Sequence, residues 1–373
     1  MNSRERVNKA INFKEPDRIP IDWGQGIVTG IHEKAYRNLL DYLGWDEVIV
    51  MSDPVQRLAM PSEKVLEYFN VDTRYIFLNP PSGWKYETDD EGKWYDEFGA
   101  KYYRTENYCD FREYPLANAV TIDDLKQFKF RDPEDPARFK GLREKAKDLY
   151  ENTEYALVAG SYPSLYYIAW ALRGYQNFLL DTAADEKFSN YIMDMILEWS
   201  TALYNKYLDE IGEYLEMMWS GDDWGDQLGP LTNPVDFRKN VLPRIKKIHK
   251  VLKSKSSAKL AYHCCGSMTW CMDDLYDSGV DIIQPVQANA YDMTDSKKIK
   301  EMTYGRLVIH GGLDNQGTFH LDKETVKKAA EEKILAFKPG GGYLFSCGHN
   351  IQSNCPPENL IALFEAYKLN CDY

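Results

Sequence analysis

Short apolar runs recur along the chain, and each is followed by a glycine-rich or polar break and then by a helical pattern. The later runs are spaced about 25 to 45 residues apart, which leaves room for one helix between consecutive strands. Buried strands that alternate with helices of this length are typical of βα units and a parallel sheet. The eight candidate strands are residues 18–23, 74–78, 155–159, 214–219, 260–263, 281–285, 307–310 and 343–345.

Eight βα units predict an α/β fold, a single (β/α)8 TIM barrel over residues 1–373. The alternative is an open, doubly wound sheet, and the lack of a G-x-G-x-x-G stretch after the first run disfavours it. Residues of about 80–150 break the pattern because they are rich in Tyr, Trp, Asp and Glu. We expect this segment to be an insertion between early strands, near the barrel mouth, with a hairpin around Glu91 and Gly92.

The charge, the length of the apolar runs and the number of cysteines argue against several classes of protein. The net charge is −13 and no stretch is basic, which argues against nucleic-acid binding. No apolar run approaches the ~20 residues of a membrane span, and the N-terminus lacks the apolar core of a signal peptide. The seven cysteines are an odd number, and Cys264 adjoins Cys265, so we expect free thiols in a reducing cytoplasm. A chain of this length needs no metal to fold.

Polar and aromatic residues gather after the candidate strands, at ends that converge on one face of a barrel. Asp222 and Asp223 are the candidates for acid–base catalysis, with Asp223 favoured, although both also suit a helix N-terminus. Core packing is the alternative for the aromatic residues. The residues expected to bind substrate are Asp22, Trp23, Tyr162, Trp224, Gln227, Gln287, His310 and Asp314.

The strongest metal signal is His263-x-Cys265 at the end of the fifth run. Residues i and i+2 of a strand project to the same side, and imidazole with thiolate favours zinc. The alternative is a hydrogen-bonded core histidine beside a small apolar cysteine. A second pair, Cys347-x-His349, ends the eighth run and can supply a third ligand. We expect three ligands, because a catalytic zinc keeps one position open.

Nine short stretches along the chain form a set: RERV and AINF near the N-terminus, PDRIP at 16–20, GDDWG at 221–225, HCCGS at 263–267, GVDIIQPVQ at 279–287, GGLDNQ at 311–316, GHNIQ at 348–352 and PPEN at 356–359. Together they resemble the uroporphyrinogen decarboxylase superfamily, and more closely its cobalamin-linked methyltransferase branch. They occur in the family's order and extend over essentially the whole chain.

The resemblance implies a barrel that carries zinc and moves a methyl group between a small donor or acceptor and the cobalt of a cobalamin held by a separate corrinoid protein. In related zinc methyltransferases a cysteine before the late P-x-E-N stretch completes the H-x-C pair. Counting back from Glu358 puts His349 at that position, whereas thiolate softness favours Cys347. Both stay candidates.

The same resemblance leaves a decarboxylase as the main alternative, but residues 21–26 (IDWGQG) lack the arginines that hold propionate groups in enzymes acting on uroporphyrinogen. A non-catalytic corrinoid-binding or small-molecule-binding barrel is a further alternative. The many tyrosines and tryptophans suggest a methoxyaromatic methyl donor, and therefore O-demethylation. The direction of transfer stays open.

Overall fold

The computed structural model describes residues 1–106 and 108–373. Its strands are β1 (Ile31–His32), β2 (Val50–Asp53), β3 (Leu58–Met60), β4 (Thr73–Ile76), β5 (Lys93–Tyr95), β6 (Lys101–Arg104), β7 (Cys109–Glu113), β8 (Ala156–Ala159), β9 (Met217–Gly221), β10 (Lys259–His263), β11 (Ile282–Gln284), β12 (Val308–His310) and β13 (Tyr343–Leu344).

The α-helices are α1 (Ser3–Ala10), α2 (Glu33–Leu43), α3 (Glu63–Tyr68), α4 (Ile122–Gln127), α5 (Leu142–Asn152), α6 (Tyr166–Arg173), α7 (Tyr175–Ala184), α8 (Glu186–Ile211), α9 (Pro234–Asp236), α10 (Leu242–Lys255), α11 (Met272–Asp277), α12 (Ser296–Thr303), α13 (Lys323–Phe337) and α14 (Pro357–Asn370). Shorter 3₁₀ turns cover Pro136–Phe139, Gly212–Tyr214 and Thr269–Cys271, and a π-helical turn, Phe237–Val241, precedes α10.

A seven-stranded parallel sheet forms the centre of the fold, in the order β13-β12-β11-β10-β9-β8-β4. Each strand pairs with its neighbour in the chain, and helices occupy the connections, as expected for consecutive βα units. One apolar cluster fills the space between sheet and helices, and a second, which includes Val158, Trp219 and Ile282, fills the inside of the curled sheet. The predicted α/β fold with a TIM-barrel-like parallel sheet is confirmed.

The first candidate strand, residues 18–23, is not a strand, so the sheet has seven strands rather than the predicted eight. Pro20 has no N–H, and the N–H of Ile21 donates to the Asp72 carboxylate at 2.8 Å. At these two consecutive positions the backbone therefore has no N–H group available to pair with a neighbouring strand. The segment is extended, and Ile21 forms a single parallel bridge with Phe345, beside β13. On its other side, the N–H of Asp72, the residue before β4, donates to the Ile21 carbonyl.

Two small antiparallel sheets lie outside the parallel sheet. The first, β1-β3-β2, is absent from the sequence predictions because its strands are too short to show a period. The second, β5-β6-β7, falls within residues 80–150, between β4 and β8 in the chain. Its hairpin turn is at Asp96, whose carboxylate accepts hydrogen bonds from the N–H groups of Phe98 and Ala100. The turn at Glu91 and Gly92 precedes β5, so the predicted hairpin position is wrong.

The helices of the described ranges include none that is both long and apolar enough to cross a membrane. All seven cysteines are free thiols, in agreement with the reading of their number and spacing.

Candidate active site

His263 is the last residue of β10, and its ring is held from the neighbouring strand. Its Nδ1 lies 2.5 Å from Oε1 of Gln284, the last residue of β11. The Gln284 amide is itself oriented, because its Nε2 donates to the Val28 carbonyl at 3.1 Å. The amide oxygen therefore faces the ring, and Nδ1 carries the proton. This tautomer leaves the Nε2 lone pair of His263 free for a ligand.

Cys265 and His349 complete a three-residue cluster with His263. The Cys265 Sγ lies 3.4 Å from the His263 Nε2, and the centroids of the two imidazole rings are 5.6 Å apart. One ligand atom from each of the three residues falls within 4.8 Å of the others. The structure thus brings together the predicted H-x-C pair at the end of β10 and His349, which follows β13, three strands away in the sheet.

A glycine fixes the turn that presents Cys265. Gly266 has φ +76°, and a Cβ there would lie 2.6 Å from backbone atoms of Asp226. Only glycine fits this conformation and this close approach. The side chain of Cys264 takes the opposite side of the chain, where it is buried and its Sγ accepts a hydrogen bond from the Trp224 N–H at 3.4 Å.

Burial sets the protonation state of the cluster. The pKa of His349 is lowered to about 4 by burial and by the nearby His263, so its imidazole is neutral at pH 7. Burial, with the nearby Asp223 carboxylate, raises the pKa of the Cys265 thiol well above its usual value. A divalent cation reverses this effect on the thiol, because it stabilises the thiolate and displaces the proton.

Asp223 lies at the edge of the cluster. Its Oδ1 accepts a hydrogen bond from the Cys265 N–H at 2.8 Å and is 3.5 Å from the His263 Nε2. The side chain is 37% exposed and lines the cavity described below, so it can reach a bound molecule. This position fits the predicted acid–base role.

Asp222 has a different environment. Its carboxylate accepts hydrogen bonds from the Ser164 hydroxyl and from the N–H groups of Leu165 and Tyr166, at 2.7 and 2.9 Å. Tyr166 begins α6, so Asp222 binds the otherwise unpaired donors of that helix start. Burial nevertheless raises its pKa to about 7, and the residue also lines the cavity described below. Asp222 thus connects β9 to α6, and its catalytic role stays a prediction.

A cavity of about 550 Å³ opens beside the cluster, between the parallel sheet and the two antiparallel sheets. His263, His349 and Asp223 line one part of it, and the predicted substrate-binding residue Tyr162 lies in its wall. Asp53, at the end of β2, also lines the cavity. Asp53 is not among the site residues predicted from the sequence, because the strands of its sheet are too short to show a period.

Two of the predicted substrate-binding aromatic residues belong to the core. Trp23 is 1% exposed and packs edge-on against Phe69 and Phe364. Trp224 is fully buried, and its Nε1 donates to the Tyr262 hydroxyl at 2.6 Å. Both predictions are corrected: neither residue is in the cavity lining, and both side chains belong to the apolar core.

Asp22 and His310 form a fully buried pair inside the curled sheet, with 2.8 Å between the Asp22 carboxylate and the His310 Nε2. The same carboxylate accepts hydrogen bonds from the Thr73 hydroxyl at 2.7 Å and the Tyr75 hydroxyl at 2.9 Å. Neither Asp22 nor His310 lines the cavity. Asp22 and His310 are therefore part of a buried polar network inside the curled sheet, and not of the substrate-binding wall for which they were predicted.

The remaining candidates also lie off the cavity wall. Gln227 and Gln287 both donate to the amide oxygen of Gln316, at 3.0 and 3.3 Å, on the rim of the mouth. Asp314 accepts a hydrogen bond from the Gly317 N–H at 2.8 Å and shapes a turn. Cys347 is 1% exposed in the apolar core, and burial raises the pKa of its thiol. Among the residues that the structure describes, Cys347 is not part of the metal-ligand cluster.

Comparison with known proteins assigns the family. Residues 104–369 match the family described as uroporphyrinogen decarboxylase (URO-D). The chain belongs to this family. A search of curated proteins finds no match.

One solved structure shares the fold of this URO-D family chain. A methyltransferase from Methanosarcina mazei is similar to it with a TM-score of 0.66 and 18% identity, over 99% of each chain. An endo-1,4-beta-xylanase from Caldicellulosiruptor owensensis has a TM-score of 0.33 and 10% identity over 61% of this chain and 85% of its own. A GH113 beta-1,4-mannanase has a TM-score of 0.39 and 11% identity over 94% of this chain and 99% of its own. The TM-scores of these last two structures are too low to support any conclusion about this chain.

Proposed function

We propose that this URO-D family protein is a zinc-dependent methyltransferase, which moves a methyl group between a small donor or acceptor and the cobalt of a corrinoid protein. The observation that carries the proposal is the His263, Cys265 and His349 cluster at the wall of a cavity. The URO-D family match and the shared fold with the Methanosarcina methyltransferase support it.

The three residues fit a zinc ion. Two nitrogen donors and one sulfur donor are ligands that zinc prefers, and three protein ligands leave one of four tetrahedral positions for a substrate atom. Tetrahedral zinc–ligand bonds of about 2.0–2.3 Å place two ligand atoms roughly 3.3–3.8 Å apart. The 3.4 Å between the Cys265 Sγ and the His263 Nε2 agrees with this separation. The hydrogen bond from His263 to Gln284 supplies the outer contact that zinc-bound histidines usually make.

When bound, zinc acts as a Lewis acid that polarises an oxygen or sulfur atom of the substrate. The other contributions come from the chain. Gln284 holds the His263 tautomer, and the buried wall keeps water away from the reacting groups. Asp223, which is partly exposed, can deliver a proton to a leaving oxygen or hold the proton of an incoming thiol.

The aromatic lining of the cavity fits the methoxyaromatic donor that the sequence predicts. We place the corrinoid protein at the carboxyl ends of the parallel strands, because the cavity and the cluster lie on that face.

The decarboxylase alternative is disfavoured by the charge of the cavity. Arg138 is the one arginine among the described residues that line it, and Glu97 neutralises its guanidinium. A porphyrinogen with several carboxylates needs unpaired cations, and this lining does not offer them.

The decisive experiment compares two adjacent cysteines. We expect Cys265→Ser to fold but to retain little zinc and little methyl transfer, because the two remaining ligands are a poor site. Cys264→Ser is the matched control, since its thiol lies in the core on the other side of the chain. Zinc is measured by mass spectrometry on purified protein, and methyl transfer from each candidate donor by the absorbance of cobalamin.

Stoichiometric zinc and full transfer in both variants would refute the assignment of Cys265. Absence of zinc from the wild-type protein after incubation with the ion would refute the metal site altogether.

A further inference from the structure

The cavity has aromatic walls and contains the carboxylate of Asp53, which is not paired with any cationic side chain that the structure describes. Its aromatic lining includes Phe77, Trp84, Tyr162, Tyr167 and Trp170. Such faces carry partial negative charge and attract a cation that stacks on them. The charges in the lining therefore decide which ligand the walls favour.

Most of these charges are already compensated. The Arg138 guanidinium is 2% exposed and pairs with the Glu97 carboxylate. Asp222 accepts hydrogen bonds from the start of α6. Asp223 accepts a hydrogen bond from the Cys265 N–H and lies beside the proposed metal site. Asp53 differs: its carboxylate accepts hydrogen bonds from two backbone N–H groups, that of Gln56 at 2.7 Å and that of Val55, but it has no ion pair with any side chain that the structure describes.

Asp53 faces the same space as the metal-ligand cluster. Tyr162, Asp53 and Asp223 all line this cavity. Burial, together with the charges of Asp223 and Asp53, raises the pKa of the Tyr162 hydroxyl. Burial raises the pKa of Asp53 as well, so the cavity holds this charge at a cost that a bound cation relieves. A bound anion would increase that cost.

We propose that the cavity binds a positively charged ligand, an ammonium compound that carries N-methyl groups, with Asp53 as its counter-ion. That this ligand is the methyl donor rests on the proposed function, in which it takes the place of the methoxyaromatic donor. In such a transfer the methyl–nitrogen bond would break, the methyl group would form a bond to the cobalt, which supplies the electron pair of the new bond, and a neutral amine would leave with the electron pair of the broken bond. The aromatic walls suit both classes, but the unpaired carboxylate favours the ammonium and disfavours an aromatic carboxylate.

The test uses a pair of isosteres. Choline and 3,3-dimethyl-1-butanol differ in one atom, nitrogen against carbon, and therefore in charge but hardly in shape. We expect calorimetry on the purified protein to show choline binding at least about tenfold more tightly than the alcohol. Binding of 4-methoxybenzoate is expected to be the weakest of the three. Asp53→Asn, which keeps the shape and removes the charge, is expected to abolish most of the preference for choline.

Asp90→Asn is the matched control, because Asp90 is exposed and outside the cavity lining, and it should keep the preference. Equal affinity for choline and the alcohol in the wild-type protein, or an unchanged preference in folded Asp53→Asn, would overturn the proposal. If Asp53→Asn does not fold, the wild-type comparison still decides the matter.

Zinc content, measured on the same samples, separates this proposal from the proposed function. Preference for choline without bound zinc refutes the methyltransferase alone, whereas bound zinc without a preference refutes the ammonium site alone.

Discussion

Residues a few positions apart in this chain have opposite environments, and these environments decide which of them can bind a metal. Cys265 faces the cavity side with its Sγ at 3.4 Å from an imidazole nitrogen, while its neighbour Cys264 is fully buried. Cys347 and His349 also differ. Cys347 is buried in the core, whereas His349 belongs to the metal-ligand cluster.

This division predicts different outcomes for the two candidates for the third ligand. We expect His349→Ala to lose most of its bound zinc, because the substitution removes one of the three ligands. That ligand is an imidazole that is already neutral and can bind the ion directly. Cys347→Ala should keep zinc and lose about 1 kcal/mol of stability, because it leaves a small cavity in a packed core. Zinc stoichiometry and chemical denaturation of both variants check this expectation, and the reverse pattern of zinc loss would make Cys347 the ligand.

At the scale of the element, the helices are tied to the sheet by polar groups whose protonation depends on burial. Asp222 connects the end of β9 to the start of α6. On the outer side, His249 of α10 is fully buried against β10, where its Nδ1 lies 2.9 Å from the Ser278 hydroxyl and its ring contacts that of Tyr262. Burial lowers the pKa of His249 to about 3.

The buried His249 predicts a loss of stability in acid. Between pH 6.5 and about 3 the unfolded chain binds a proton at His249 that the folded chain does not. Stability from this group is complete above pH 6.5 and falls as the pH falls, by about 2 kcal/mol between pH 7 and 5. His249→Phe should remove that dependence.

The measurement is the free energy of unfolding of both proteins from pH 7 to 5. Asp96, Glu216 and Asp222 have pKa values raised to about 7 and act in the opposite direction, so the difference between wild type and variant isolates His249. Parallel curves for the two proteins would contradict the prediction.

At the scale of the whole molecule, the core and the metal-ligand cluster are separate. The two large apolar clusters lie on either side of the parallel sheet, and the cluster of His263, Cys265 and His349 lies at the ends of its strands. Folding therefore depends on apolar burial, and metal binding adds stability to a fold that is already formed.

We expect protein stripped with a chelator to keep its far-ultraviolet circular dichroism and its cooperative thermal transition. Added zinc should raise the Tm, with a stabilisation of about 2.7 kcal/mol at a hundredfold excess over Kd. Magnesium is the control ion, since it binds poorly to imidazole and thiolate. Loss of folded structure on chelation would mean that the metal has a structural role.

The sequence by itself determined the alternation of buried strands and helices and the position of polar residues at the strand ends. It also determined that His263 and Cys265 share one side of the chain. These features follow from local rules, the apolar period and the alternation of side chains along a strand. Seven of the eight predicted runs, all except residues 18–23, overlap a strand of the parallel sheet for this reason.

Only the tertiary structure decided the rest. Whether Trp23 and Trp224 pack in the core, whether His349 or Cys347 meets the H-x-C pair, and which helix Asp222 binds all depend on elements far away in the chain. Asp53 reaches the cavity from a small antiparallel sheet that no periodicity announces. A residue's type sets what its side chain can do, but the packing of distant elements sets which neighbour it meets, and function depends on that neighbour.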